Sequence, residues 1–144
     1  MSGVVTIIDG TDAVMGRLAT TVAERIMEGE QIVVVNAEKI LVTGKKEMVF
    51  ARYKFKDELG ETNSRKGPFY PRRADLIFKS TVRGMIPWKK TSGREAYRRL
   101  TVYVSVPEQY SGSATERPEQ ALKSIGCKYT SLGSVAKYLG SRVR

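Results

Sequence analysis

The chain contains no histidine and a single cysteine in 144 residues. Without imidazole it lacks the side chain that most often serves as general base and metal ligand near neutral pH. One thiol and no histidine leave too few ligands for a zinc site, so neither a metal nor another cofactor is expected. Cys127 has no partner for an internal disulfide, and its neighbours Ile125 and Gly126 predict a buried structural thiol. Long apolar runs are missing too, so no membrane-spanning helix is expected. Met1-Ser2-Gly3 runs into an apolar segment without a basic leader, so no secretory signal is expected. These features predict a reducing, intracellular setting.

Acids are scarce in one particular place. The formal net charge is +10, but residues 1–42 carry −3, residues 43–104 carry +10 and residues 105–144 carry +3. Between Arg65 and Arg99 stand eleven Lys or Arg and only two acids, Asp75 and Glu95. Phe69, Tyr70, Phe78, Trp88 and Tyr97 are interleaved with the charge, and Gly67-Pro68, Pro71, Gly84, Pro87 and Gly93 punctuate it. A solvated helix face mixes acids with its bases in i,i+4 pairs. A stretch nearly free of acids suits a surface that tracks phosphates and stacks on unpaired bases.

What is present elsewhere is a core pattern of globular composition, 41% hydrophobic and 28% charged. Val4 to Ile8 and Ile32 to Val35 are continuous apolar runs, as strands covered on both faces tend to be. Between them Met15, Leu18, Ala19, Val22 and Ile26 recur at helical spacing, with Thr11 or Asp12 as cap and Gly29 as stop. This is a βαβ unit, so the two strands should be parallel. Ile40 to Val42 is a short strand or a turn of helix, and Lys45 to Lys56 is compatible with a helix. Residues 58–71 read as a long loop. Arg73 to Gly84 is predicted helical with Gly84 as terminator, and Ile86-Pro87-Trp88 as a rigid linker. Ser92 and Glu95 have capping-box spacing, with Arg94, Arg98 and Arg99 pointing outward from the helix that follows. Leu100 to Val106 is a further strand, residues 108–116 an exposed loop, Pro118 to Ser124 a short helix, and Leu132 to Leu139 a last amphipathic helix ending at Gly140.

The loop Gly10 to Arg17 lies where dinucleotide-binding proteins keep their phosphate glycines. Its spacing is G-x5-G, and no Gly-Lys-Ser/Thr follows, so it matches neither phosphate motif. A small α/β nucleotide-binding protein using this loop is the rival reading. The alternative is that Gly10 ends a strand and Gly16 lets the helix pack closely. Glu24 and Glu28 fit a solvated helix face, and no set of nucleophile, base and orienting group is present. The expectation is therefore a protein without catalysis. Trp88 is either a stacking residue for RNA or a lid over the preceding helix. No duplex-reading motif is apparent, so folded RNA is the favoured partner.

Three motifs in order then identify a resemblance. They are Ile8-Asp9 with Met15-Gly16-Arg17-Leu18-Ala19, Val34-Val35-Asn36-Ala37-Glu38-Lys39 with Val42-Thr43-Gly44, and Val82-Arg83-Gly84-Met85-Ile86-Pro87 with Gly93-Arg94-Glu95-Ala96. Together they resemble the ribosomal protein L13 family of the large subunit, and Tyr70-Pro71-Arg72-Arg73 and the tail look archaeal. The resemblance implies one α/β domain over residues 1–144, a small, mostly parallel sheet in three layers with helices on both faces. It would comprise a βαβ core half (1–57), a basic RNA-facing part (58–99), and a last strand with a C-terminal helical extension (100–144). It implies a cytoplasmic constituent of the large ribosomal subunit that binds large-subunit rRNA and neighbouring ribosomal proteins and supports subunit assembly. No membrane, small-molecule substrate or homo-oligomer is expected. The rRNA-facing candidates are Lys45, Lys46, Arg65, Lys66, Tyr70, Arg72, Arg73, Lys79, Arg83, Trp88, Lys89, Lys90, Arg94 and Arg98. Gly84, Met85, Pro87 and Gly93 are expected to shape the turn.

Overall fold

The structure is a computed structural model that describes residues 4–60, 66–122 and 126–142. Strand β1 (Val5–Asp9) leads through helix α1 (Met15–Met27) to β2 (Gln31–Val35), and the two strands pair in parallel with Ile8 opposite Val34. Strand β3 (Leu41–Thr43) and helices α2 (Lys46–Glu58), α3 (Ala74–Met85) and α4 (Thr91–Arg98) follow. Then come β4 (Leu100–Val102), β5 (Tyr129–Ser131) and α5 (Leu132–Tyr138). The main sheet has the order β1-β2-β4 and is wholly parallel, while β3 and β5 form a separate antiparallel pair. The architecture is α/β with a small, mostly parallel sheet, as expected.

Alternation of side chains along a strand puts Ile7 and Ile8 on opposite faces. Ile8, Ile32, Val34 and Leu100 join one large apolar cluster with Leu18, Val22 and Ile26 of α1, Phe78 and Val82 of α3, Ala96 of α4 and Leu132 of α5. Ile7, Val33 and Val35 form a smaller cluster on the other face, covered by Tyr103 and by Tyr110 in a 3-10 helix (Glu108–Tyr110). Burial on both faces explains why β2 reads as unbroken aliphatic sequence.

Several local expectations are corrected. Helix α1 begins after Val14, which is extended, and neither Thr11 nor Asp12 caps it. Residues 13 and 14 are held out of the helix by pairing, with the Leu41 N–H donating to the Ala13 carbonyl and the Val14 N–H to the Ala121 carbonyl. Gly84 does not terminate α3 but lies within it, one residue before its last position. Helix α4 begins after Lys90, and Ser92 makes no cap hydrogen bond, because the turn at Pro87 starts the helix earlier. Strand β4 pairs over three residues only; the chain then bends, with the Tyr103 carbonyl accepting from the Ala37 N–H. Pro118 to Leu122 forms turns rather than helix, and residues 123–125 lie outside the described residues. Gly16 has open space around it, so close helix packing is not its role. Cys127 is exposed, in a coil between Gly126 and Lys128. The segment left open at 40–42 is strand β3, paired with β5. Among the described residues no helix is long and apolar enough to cross a membrane.

Candidate nucleic-acid interface

Helix α3 lays Ile77, Phe78 and Val82 against the core, which turns Ser80, Arg83 and Gly84 outward. Its last turn runs into Ile86, held extended as the residue before a proline should be. The Trp88 N–H then donates to the Ile86 carbonyl and the Lys90 N–H to the Pro87 carbonyl, at 2.8 and 3.0 Å. Gly93 closes this corner. A Cβ there would collide with the Pro87 carbonyl, so only glycine lets α4 pack under the turn. Arg94 Nε donates to the Trp88 carbonyl at 3.2 Å. Met85 ties the corner to α1 by accepting from Thr20 Oγ1 at 3.7 Å through its sulfur. Pro87 and Gly93 meet in this turn and Met85 leads into it, while Gly84 stands back within α3.

Two adjoining rings flanked by two cations run across the corner. Lys79 Nζ lies 5.0 Å from the Tyr97 ring, Tyr97 meets Trp88 edge-on at 5.1 Å, and the Arg83 guanidinium lies 4.2 Å over the indole. Such contacts hold a cation against a ring without neutralising it. Trp88 packs on the core cluster, so its lid role is the one seen within the protein.

Two clefts open along the outer side of α3. The first, about 340 Å³, is walled by Met15, Tyr53, Tyr70 and Ile77 and rimmed by Arg52 and Lys56. The second is a broader shelf of about 630 Å³ lined by Arg83, Pro87, Trp88, Lys89 and Lys90. Ser80 and Gly84 belong to both. Among the described residues neither is lined by a carboxylate, whereas grooves elsewhere include Glu38, or Glu24 with Glu119. Burial holds the Tyr53 hydroxyl above its ordinary range, and the nearby Arg52 only partly offsets this.

The expected residues do not all converge on these clefts. Tyr70, Arg83, Gly84, Pro87, Trp88, Lys89 and Lys90 do. Lys45 and Lys46 stand exposed at the start of α2, where Lys46 Nζ lies 5.4 Å from the Phe50 ring. Lys66 and Arg98 are exposed away from the cleft linings, and Arg65 lies outside the described residues. Arg72 and Arg73 are engaged by the chain's own acids, Asp57 at 2.9 Å and Asp75 at 3.1 Å. Among the described residues Lys45, Lys46, Lys79, Arg83, Lys89, Lys90, Arg94 and Arg98 make no such ion pair. Arg99, expected outward, folds back to donate to the Ile26 carbonyl at the end of α1. Sequence reasoning missed Arg52, Tyr53 and Lys56; the i,i+4 spacing of the two cations on α2 was the available signal.

The loop after β1 is tied down by hydrogen bonds and an ion pair to Asp9. Asp9 accepts from the Thr11 N–H, from Thr11 Oγ1 at 2.7 Å and from Asn36 Nδ2, and Arg117 stands 3.4 Å away. Burial pushes the Asp9 carboxyl up, but the hydrogen bonds from Asn36 and Thr11 and the Arg117 charge outweigh it, leaving it below 3.8. An ionised carboxylate at this spot repels phosphate, which argues against the nucleotide reading. Among the described residues no cluster of acids and thiols could hold a metal ion.

Comparison with known proteins gives one consistent result. The sequence profile described as ribosomal protein L13 matches residues 4–109. Large ribosomal subunit protein uL13 of Archaeoglobus fulgidus is 50% identical over 140 residues, covering 95% of this chain and 88% of that protein. The protein of the same name from Methanosphaera stadtmanae is 47% identical, covering 96% and 99%. That of Methanopyrus kandleri is 44% identical, covering 94% and 86%.

Proposed function

The chain belongs to the ribosomal protein L13 family, and from that premise we propose that it binds large-subunit rRNA through the outer side of α3. Membership makes it a structural protein of the large ribosomal subunit rather than an enzyme. The finer reading concerns how it holds RNA. Lys and Arg at the corner displace counterions from closely spaced phosphates, and the folded body fixes where those charges stand. Residues 58–99 supply the cationic side, with Arg52 and Lys56 of α2 added to it, while 1–57 and 100–144 supply the support. The carrying observation is that the two clefts meeting on α3 are rimmed by cations and, among the described residues, lined by no acid.

In this reading the protein works in the cytoplasm, early in subunit assembly, beside neighbouring ribosomal proteins. Arg72 and Arg73 hold the approach to α3 in place through Asp57 and Asp75 rather than by touching RNA. Sucrose-gradient sedimentation of native lysate tests the reading. The chain should travel almost wholly with the large subunit. Recovery at the top of the gradient, free of subunits, would overturn it.

A further inference from the structure

Gly84 is a glycine that the fold does not require. It lies in the last turn of α3, and a Cβ added there would meet no atom within 4 Å. Gly93, nine residues on, is the contrasting case, since its Cβ would strike the Pro87 carbonyl. Glycine within a helix is less favourable than alanine. The bare position at 84 therefore weakens α3 without relieving any contact inside the protein.

Its position gives it a use outside. Gly84 is on the floor shared by the Tyr53–Tyr70 cleft and the Trp88–Lys90 shelf. A side chain there would stand between them; a glycine leaves a passage along which another backbone can approach. The two sides of the passage differ in chemistry. The shelf is open and offers Arg83, Lys89 and Lys90. The cleft is narrower, with Met15, Ile77 and two phenol rings as walls and the hydroxyl-bearing Ser80 and Thr81 within it. Lys56 Nζ stands at the rim of this cleft, 5.5 Å from the Tyr53 ring and 5.8 Å from that of Tyr70. A flat group with polar edges and a following negative charge matches that slot. Unpaired nucleotides have this character, and aromatic walls take them through their π-faces.

We propose that a single-stranded segment of RNA crosses α3 at Gly84, its phosphates on the Arg83–Lys90 shelf and one unpaired base in the cleft between Tyr53 and Tyr70. The inference rests on the rRNA-binding reading above and specifies the path of the strand. Among the described residues neither cleft has an acid in its lining, which favours this polyanion over a protein segment. A duplex has no free base for the slot.

Gly84→Leu and Tyr70→Ala are compared with the native protein for thermal melting and for binding to transcribed large-subunit rRNA across a salt series. Gly84→Leu should melt at or above the native temperature, because leucine favours helix. Both variants should bind rRNA roughly tenfold more weakly or worse, the loss of one stacked base. Tyr70→Ala should keep the native salt dependence, since no phosphate contact is removed. Native-like affinity in either variant would overturn the strand path while leaving rRNA binding standing. Failure of the native protein itself to bind rRNA would overturn both.

Discussion

The Arg83 guanidinium lies 4.2 Å over the ring of Trp88, whose indole Tyr97 meets edge-on at an interplanar angle of 86°. Aromatic surface thus orients a cation that the chain leaves without an acid partner among its described residues. The corner between α3 and α4 presents charge in a fixed place while remaining short of counter-charge. That combination is what a phosphate-binding surface requires and what a self-sufficient fold avoids.

Because Trp88 is the only tryptophan, its emission reports on this contact directly. Replacing Arg83 with alanine should uncover the indole and shift the emission to longer wavelength. Urea unfolding should show a loss of about 0.5–1 kcal/mol, the range for an exposed cation–π pair. An unchanged spectrum would mean that the guanidinium does not rest on the ring in solution.

Gly93→Ala should be markedly worse for the fold than Gly84→Ala. The first places a methyl group against the Pro87 carbonyl, whereas the second meets open space. Overpacking against backbone costs about 1–3 kcal/mol. Thermal melts should therefore show Gly93→Ala well below the native midpoint and Gly84→Ala at or above it. Equal midpoints would contradict the packing described for α4.

Asp9 makes the stability depend on acid. Burial alone would raise its carboxyl, but Asn36, Thr11 and Arg117 bring it below 3.8 in the folded chain. A carboxyl lowered on folding stabilises the fold above its unfolded value, and that contribution is lost as pH falls through the folded value. Asp9→Asn should thus lower the urea midpoint at neutral pH. The gap between variant and native should close once the pH is well below 3.8. A gap of constant size would show that the charge of Asp9 is not what matters.

Much of this molecule is legible in its sequence, for identifiable reasons. Val4 to Ile8 and Ile32 to Val35 could be read as parallel strands because burial on both faces removes the need for alternation. Leu132 to Leu139 kept a helical period, and Pro87 forced an extended Ile86. Strand β5 was missed because three residues, Tyr129 to Ser131, are too few to carry a period. Caps were misassigned where tertiary contacts held the chain out of the helix, as at Val14, or drew it in early, as at Lys90. Of the adjacent pair Arg98-Arg99, one is exposed and the other closes the end of α1, a difference that composition does not encode. The cleft in front of α3 stayed hidden because Arg52, Tyr53 and Lys56 of its lining come from α2, which buries only Val49 and so has little apolar pattern.

The most direct test of the cationic corner is the salt dependence of binding to transcribed large-subunit rRNA, measured for the native protein and for the double variant Lys89→Ala, Lys90→Ala. Both lysines line the shelf and neither is paired with an acid among the described residues. If each meets one phosphate, the double variant should bind more weakly and its log–log slope should be shallower by about 1.4–1.8. A slope identical to the native one would remove the shelf from the interface and contradict the account.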